Sequence, residues 1–144
     1  MGAIMYRNIV IAYDGSDVAQ AALDVAAGLA ASSGGSLTLV QSVESRGAVG
    51  PLATDPDPDK VAEARRALKA AAAKLDPHLE ASPWIAAGPA ADAILSVAKE
   101  IRADLIVTGS RGRGTVARAL LGSVSSHLAH EGPCDVLVVH PRVD

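Results

Sequence analysis

Apolar positions along this chain follow two alternating rhythms. Short runs dense in β-branched residues read as strands: RNIVIAY (7–13), SLTLVQSV (36–43), DLIVT (104–108) and DVLVVH (135–140). Between them, apolar residues recur every three or four positions, as on one face of a helix. Val18, Ala21, Ala22, Val25, Ala26 and Leu29 mark a first helix, with Asp17 as its N-cap and Gly34-Gly35 as its stop. Val61, Ala64, Leu68, Ala71, Ala72 and Leu75 mark a second, closed by Asp76-Pro77. Ala91, Ile94, Leu95, Ala98 and Ile101 line a third, opened by Gly88-Pro89. Val116, Leu120, Leu121, Val124 and Leu128 line a fourth, ended by Gly132-Pro133. A weaker strand at 79–87 holds Pro83, which a sheet tolerates best at its edge. The Gly- and Pro-rich stretch 44–59 reads as a long surface connection.

This alternation predicts an α/β fold: one doubly wound, five-stranded, parallel sheet with helices on both faces. Strands as continuously apolar as NIVIAY and DVLVV fit burial from both sides. With no internal repeat, the whole chain, 1–144, reads as a single domain.

Composition narrows the picture. There is no Phe, one Trp and two Tyr, so aliphatic side chains and alanine must fill the core. A net charge of −3 argues against a nucleic-acid partner, because binding a phosphate backbone needs a basic face. Cys134 is the only cysteine, which excludes an internal disulfide and points to a reducing compartment. The start, MGAIMYRN, has no secretory pattern, and no apolar run approaches the roughly 20 residues that span a bilayer. The expectation is a cytoplasmic protein with no membrane partner.

Candidate chemistry concentrates in GSRGRGTVARALLGSVS (109–125), which runs from a strand toward a helix. Glycines let backbone amides approach an anion closely, and a helix N-terminus favours negative charge. Arg111 and Arg113 stand where they could pair with phosphate oxygens. A second loop, Asp14-Gly15-Ser16, follows the first strand. In strand order 3-2-1-4-5 the two loops flank one crevice at the carboxyl ends of the strands, where open α/β sheets bind ligands.

Together these residues resemble the universal stress proteins, and the resemblance runs from NIVIAYDGS to VLVVH. Nucleotide-binding members of that family carry Gly, two residues, Gly, nine residues, then Gly and Ser or Thr; Gly109, Gly112, Gly122 and Ser123 match that spacing. Asp14 stands where the family closes its first strand with aspartate. The resemblance implies a Rossmann-like, adenine-nucleotide alpha-hydrolase-like domain that binds ATP or AMP in stress-response regulation. It implies phosphates on the Gly109 and Gly112 amides, with Gly114, Ser123, Val124 and Ser125 beside them. It further implies a backbone contact from Val43 to adenine, and Asp14 near the adenosine or holding Mg²⁺ through the nucleotide. A homodimer through the apolar last strand is expected both from the resemblance and from the exposed edge that this strand would present.

Other readings stay beside this one. The protein is expected to bind rather than catalyse, with slow ATP hydrolysis, cyclic AMP binding and a ligand-free dimeric interaction module as the alternatives. A P-loop fails because Thr115 stands where lysine is required. Gly112, Gly114 and Ala117 fit a dinucleotide fingerprint, but after the fourth strand rather than the first. Asp14 before Gly15 is also an ordinary turn cap. The four histidines show no metal-site spacing, and no serine has an evident His–Asp pair.

Overall fold

The computed structural model describes residues 6–43, 56–111 and 122–141. Their order is β1 (Asn8–Ala12), α1 (Asp17–Ser33), β2 (Ser36–Val43), α2 (Pro58–Ala73), β3 (Glu80–Ala87), α3 (Ala90–Glu100), β4 (Leu105–Gly109), α4 (Ser123–Glu131) and β5 (Asp135–Val139). The strands form one parallel sheet in the order β3-β2-β1-β4-β5, as the alternation predicts.

Period-two alternation divides each central strand between two cores. Ile9, Ile11, Leu37, Leu39, Leu105 and Val107 face α1 and α2, while Val10, Val40 and Ile106 face α3 and α4. Ala22, Ala26 and Ala30, each fully buried and four residues apart, let α1 lie close on the sheet. Small side chains thus do what aromatic bulk does in other cores. Leucines such as Leu23, Leu39, Leu68 and Leu128 are also fully buried, and each contributes about 2 kcal/mol of transfer free energy.

Element ends differ from the sequence reading in four places, each for a local reason. The N-cap of α1 is Ser16 rather than Asp17, because the Ser16 hydroxyl accepts the Ala19 N–H at 3.2 Å. Gly34 ends α1 as expected, in the left-handed region at φ 70°, where a side chain would be strained. Helix α2 begins inside the stretch read as a connection: Asp57 caps it by accepting the Asp59 N–H at 3.0 Å, and Pro58 takes the first turn, where its missing N–H costs nothing. The same helix ends at Ala73, so Leu75 packs on the core from just beyond it. Strand β4 runs one residue past DLIVT, to Gly109, which pairs with Val139 of β5. Pro83 does sit in an edge strand, β3, opposite Leu39 of β2. The helical positions Val116, Leu120 and Leu121, and most of the 44–59 stretch, lie outside the described residues.

Among the described residues, no helix is long and apolar enough to cross a membrane. Cys134 is half-buried, and burial raises its thiol pKa above the ordinary 9.0, so at neutral pH it is a protonated packing residue rather than a nucleophile.

Candidate functional site

The sheet opens where its strands stop sharing partners. β1 pairs with β4 only as far as Ile11↔Val107, yet it follows β2 through Ala12↔Val40 and then through the Tyr13 N–H to the Val40 carbonyl at 2.9 Å. Beyond that point β4 stays with β5. The neighbours of β1 therefore part above Ala12, and the gap is a cleft of 520 Å³. That is within the size range of small-molecule sites.

Three groups of residues build its walls. Ala12, Val40, Ile94 and Val124 supply an apolar slot between the sheet and helices α3 and α4. Gln41 and Ser42 of β2 form the polar rim on one side. Asp14, Thr108, Gly109, Arg111 and Ser123 form it on the other. The slot between aliphatic side chains suits a flat apolar body, Tyr13 also lines the cleft, and the Arg111–Ser123 side suits an anion.

Helix α4 is the anion-facing element. Its N-cap is Gly122, which offers no side chain, so the amides of its first turn carry no side-chain cap. Ser123 at the first helical position is exposed and lines the cleft. Helix α1 differs at its own start, where Ser16 caps the turn and Asp17 adds a negative charge. Helix α3 also begins at the cleft, at Ala90, uncapped but with Asp92 in its first turn; α4, with neither a side-chain cap nor a first-turn acid, is the helix start best suited to an anion.

The ends of the glycine loop are tied together. The Gly122 N–H donates to the Ser110 carbonyl at 2.6 Å, and Ser110 N–H donates to Val139 at 2.8 Å. The Ser125 hydroxyl, only 1% exposed, lies 3.1 Å from the Ser110 carbonyl and 3.0 Å from the Gly122 carbonyl. It therefore ties the loop ends together while still lining the cleft, and Ser123 is the exposed serine of α4 there.

The other sequence-named residues divide as follows. Asp14 lines the cleft half-buried, and its Oδ1 accepts the Ser16 N–H at 2.9 Å, so it also shapes the turn into α1. As a single carboxylate it suits Mg²⁺ that arrives with phosphates, since Mg²⁺ keeps waters and takes few protein ligands. Among the described residues no group of three metal-ligating side chains occurs. Val43 is buried, its carbonyl accepts the Gly88 N–H at 3.0 Å, and it is not among the cleft residues. Its strand neighbours Gln41 and Ser42 are. Gly112, Arg113 and Gly114 lie outside the described residues. The sequence reading missed Gln41, Ser42, Thr108 and Ile94. A polar pair ending an apolar strand, QS after SLTLV, was the available signal for the first two.

Comparison with known proteins agrees with this architecture. Residues 5–140 match the model of the universal stress protein family. A universal stress protein of Thermus aquaticus is 36% identical, with 94% of this chain and 99% of that protein covered. The universal stress protein UspA of Lactobacillus plantarum superposes with a TM-score of 0.75 at 26% identity, covering 95% of this chain and 99% of the other. A universal stress protein crystallised in complex with cAMP superposes with a TM-score of 0.70 at 29% identity, covering 96% of this chain and all of the other.

Proposed function

Because the chain belongs to the universal stress protein family, we propose that it is an adenine-nucleotide-binding regulatory protein, with ATP or AMP held in the cleft above β1. One observation carries this reading: the cleft joins an apolar slot, Val40 to Ile94 and Val124, to an anion-facing end made by Arg111 and the first turn of α4. A nucleotide has the same division, a flat base at one end and phosphates at the other. The cAMP complex of a relative at 29% identity supports the class of ligand. ATP would be accompanied by Mg²⁺ on its phosphates, with Asp14 beside it.

Binding without turnover fits best. Among the described cleft residues Asp14 is the sole acid, and its carboxylate already holds the Ser16 amide. Nucleotide acts by linkage, stabilising one arrangement of the loop after β4 for a partner. The protein works in the cytoplasm as a homodimer joined through β5, whose outer side is the open edge of the sheet and whose Leu137 is 36% exposed.

Calorimetric titration of nucleotide-stripped protein with ATP–Mg²⁺, AMP and cAMP tests the reading. Saturable binding that is weakened by R111A and S123A supports it. No binding of any of the three to well-folded protein refutes it and turns attention to protein partners.

A further inference from the structure

Two helices cover one face of the sheet and divide the charge between them. Helix α1 lies over β4 and β1, and α2 lies over β3 and β2. Each returns between parallel neighbours, so the two run side by side in one direction. The only charged residues of α1 are Asp17 and Asp24. From its middle onward α2 carries Arg65, Arg66 and Lys69 and no acid. Asp24, Arg65, Arg66 and Lys69 are all exposed, and none of them forms an ion pair among the described residues.

The outer ridges of the two helices share a spacing. Asp24, Gly28 and Ala31 of α1 stand at i, i+4 and i+7; Arg66, Ala70 and Ala73 of α2 do the same, and all six are exposed. Gly28 calls for a reason. Glycine inside a helix weakens it relative to alanine, and a Cβ at Gly28 would meet nothing within 4 Å, so packing inside this chain does not require it. Close approach of another backbone does.

The surface that matches this ridge lies on the same face of the same molecule. A two-fold axis parallel to the helices lays α1 of one copy on α2 of the other and repeats the contact by symmetry. Asp24 then meets Arg66 of the second copy, with Arg65 and Lys69 close by. Gly28 and Ala31 meet Ala70 and Ala73, where the lack of bulk lets the helices come together. An axis across the helices would instead set Arg65, Arg66 and Lys69 against their own copies, which like charge opposes.

We infer that the α1–α2 face is a self-association surface, on which a second copy of this chain docks α1 on α2, with Asp24 paired to Arg66 and Gly28 at the helix contact. It uses neither the cleft nor the β5 edge and does not rest on the nucleotide reading. Two helices about 24 Å long and about 10 Å apart offer about 500 Å² per copy, near the lower limit for a stable interface. The association is therefore weak and, with a surface ion pair at its centre, sensitive to salt.

Sedimentation of the full chain at about 10 and about 500 µM, in about 0.05 M and about 0.5 M salt, tests this. In low salt the wild-type mass should rise reversibly with concentration, and high salt should suppress the rise. D24R and R66D should each weaken the association about tenfold, and the D24R/R66D double variant should recover most of it, which a merely structural role would not do. G28L should abolish it while raising the ligand-free melting temperature, because leucine is the better helix former and finds open space there in the single chain. A wild-type mass that stays constant between the two concentrations in low salt overturns the inference and leaves the face to solvent or to another protein. So does a concentration-dependent mass that D24R, R66D and G28L all leave unchanged, since the contact then lies elsewhere, as at β5.

Discussion

Val18, in the first turn of α1, occupies the space into which a side chain at Gly109 would project: a Cβ built there would overlap Val18 Cγ1 and lie 3.2 Å from Val18 Cβ. Gly109 is thus required by the packing of α1 on β4, whatever it also offers a phosphate. G109A should destabilise the protein by about 1–3 kcal/mol through overpacking. Combining it with V18A should cost less than the two single changes together. Urea unfolding of the four proteins measures this, and strict additivity would contradict the contact.

Ser123 and Ser125 should separate cleanly, although both belong to the same short segment. Ser125 is buried on the Ser110 and Gly122 carbonyls, while Ser123 is exposed at the cleft. S125A should lower stability by about 1 kcal/mol, a limited loss because the Gly122 amide still holds Ser110. S123A should leave stability unchanged and weaken nucleotide binding several-fold. Melting curves and calorimetry on the same samples decide, and a reversed pattern would exchange the two roles.

For Asp14, charge and hydrogen bonding can be pulled apart. Its carboxylate accepts the Ser16 N–H, a bond that an asparagine oxygen reproduces. D14A should cost about 1 kcal/mol of stability, and D14N less than half of that. D14N should also remove the Mg²⁺ dependence of ATP affinity. Titrations with and without Mg²⁺ check this; a Mg²⁺ dependence that persists in D14N limits Asp14 to the turn.

Alkaline pH should loosen the opposite end of the sheet. The Tyr6 hydroxyl donates to Asp135 Oδ2 at 2.8 Å, and that hydrogen bond is the main cause that raises its pKa above the ordinary 10.0. A tyrosine whose pKa is higher when folded stabilises the fold below the unfolded value and loses that contribution as pH rises through the folded value. The wild type should therefore lose stability relative to Y6F on going from neutral pH to above 10. Denaturant unfolding of both proteins at the two pH values tests the sign.

The proposed dimer gives a test that spares the monomer. The Val139 carbonyl accepts from Ser110 on the β4 side, so by alternation the backbone N–H of Val138 points to the open edge. V138P removes only an outward donor and should yield folded monomers in sedimentation experiments, where the wild type sediments as a dimer. A wild type that is monomeric at micromolar concentration refutes the β5 interface.

Most of the architecture was legible because the cues were local and repeated. Runs such as NIVIA and DVLVV separated by helical periods leave few topologies, and the parallel order brings the loops after β1 and β4 together. The errors arose where several residues compete for one role. In Asp14-Gly15-Ser16-Asp17 three side chains suit a cap, and only backbone geometry selects Ser16. Naming Val43 rather than Gln41 and Ser42 misplaced the wall of the cleft along β2, since the cleft ends where the Gly88 amide takes the Val43 carbonyl. The contact of Gly109 with Val18 joins residues far apart in the chain, and no local pattern announces it.

Trp84 lies in β3 directly opposite Val40 of β2, the strand whose Val40, Gln41 and Ser42 face the cleft. It is the only tryptophan in a chain without phenylalanine. Nearly all indole emission therefore comes from one point, one strand away from the binding wall and packed on the side of α3 and α4. The molecule carries its own optical reporter: ligand entry and global unfolding should both register in the fluorescence of a single residue, with no label attached.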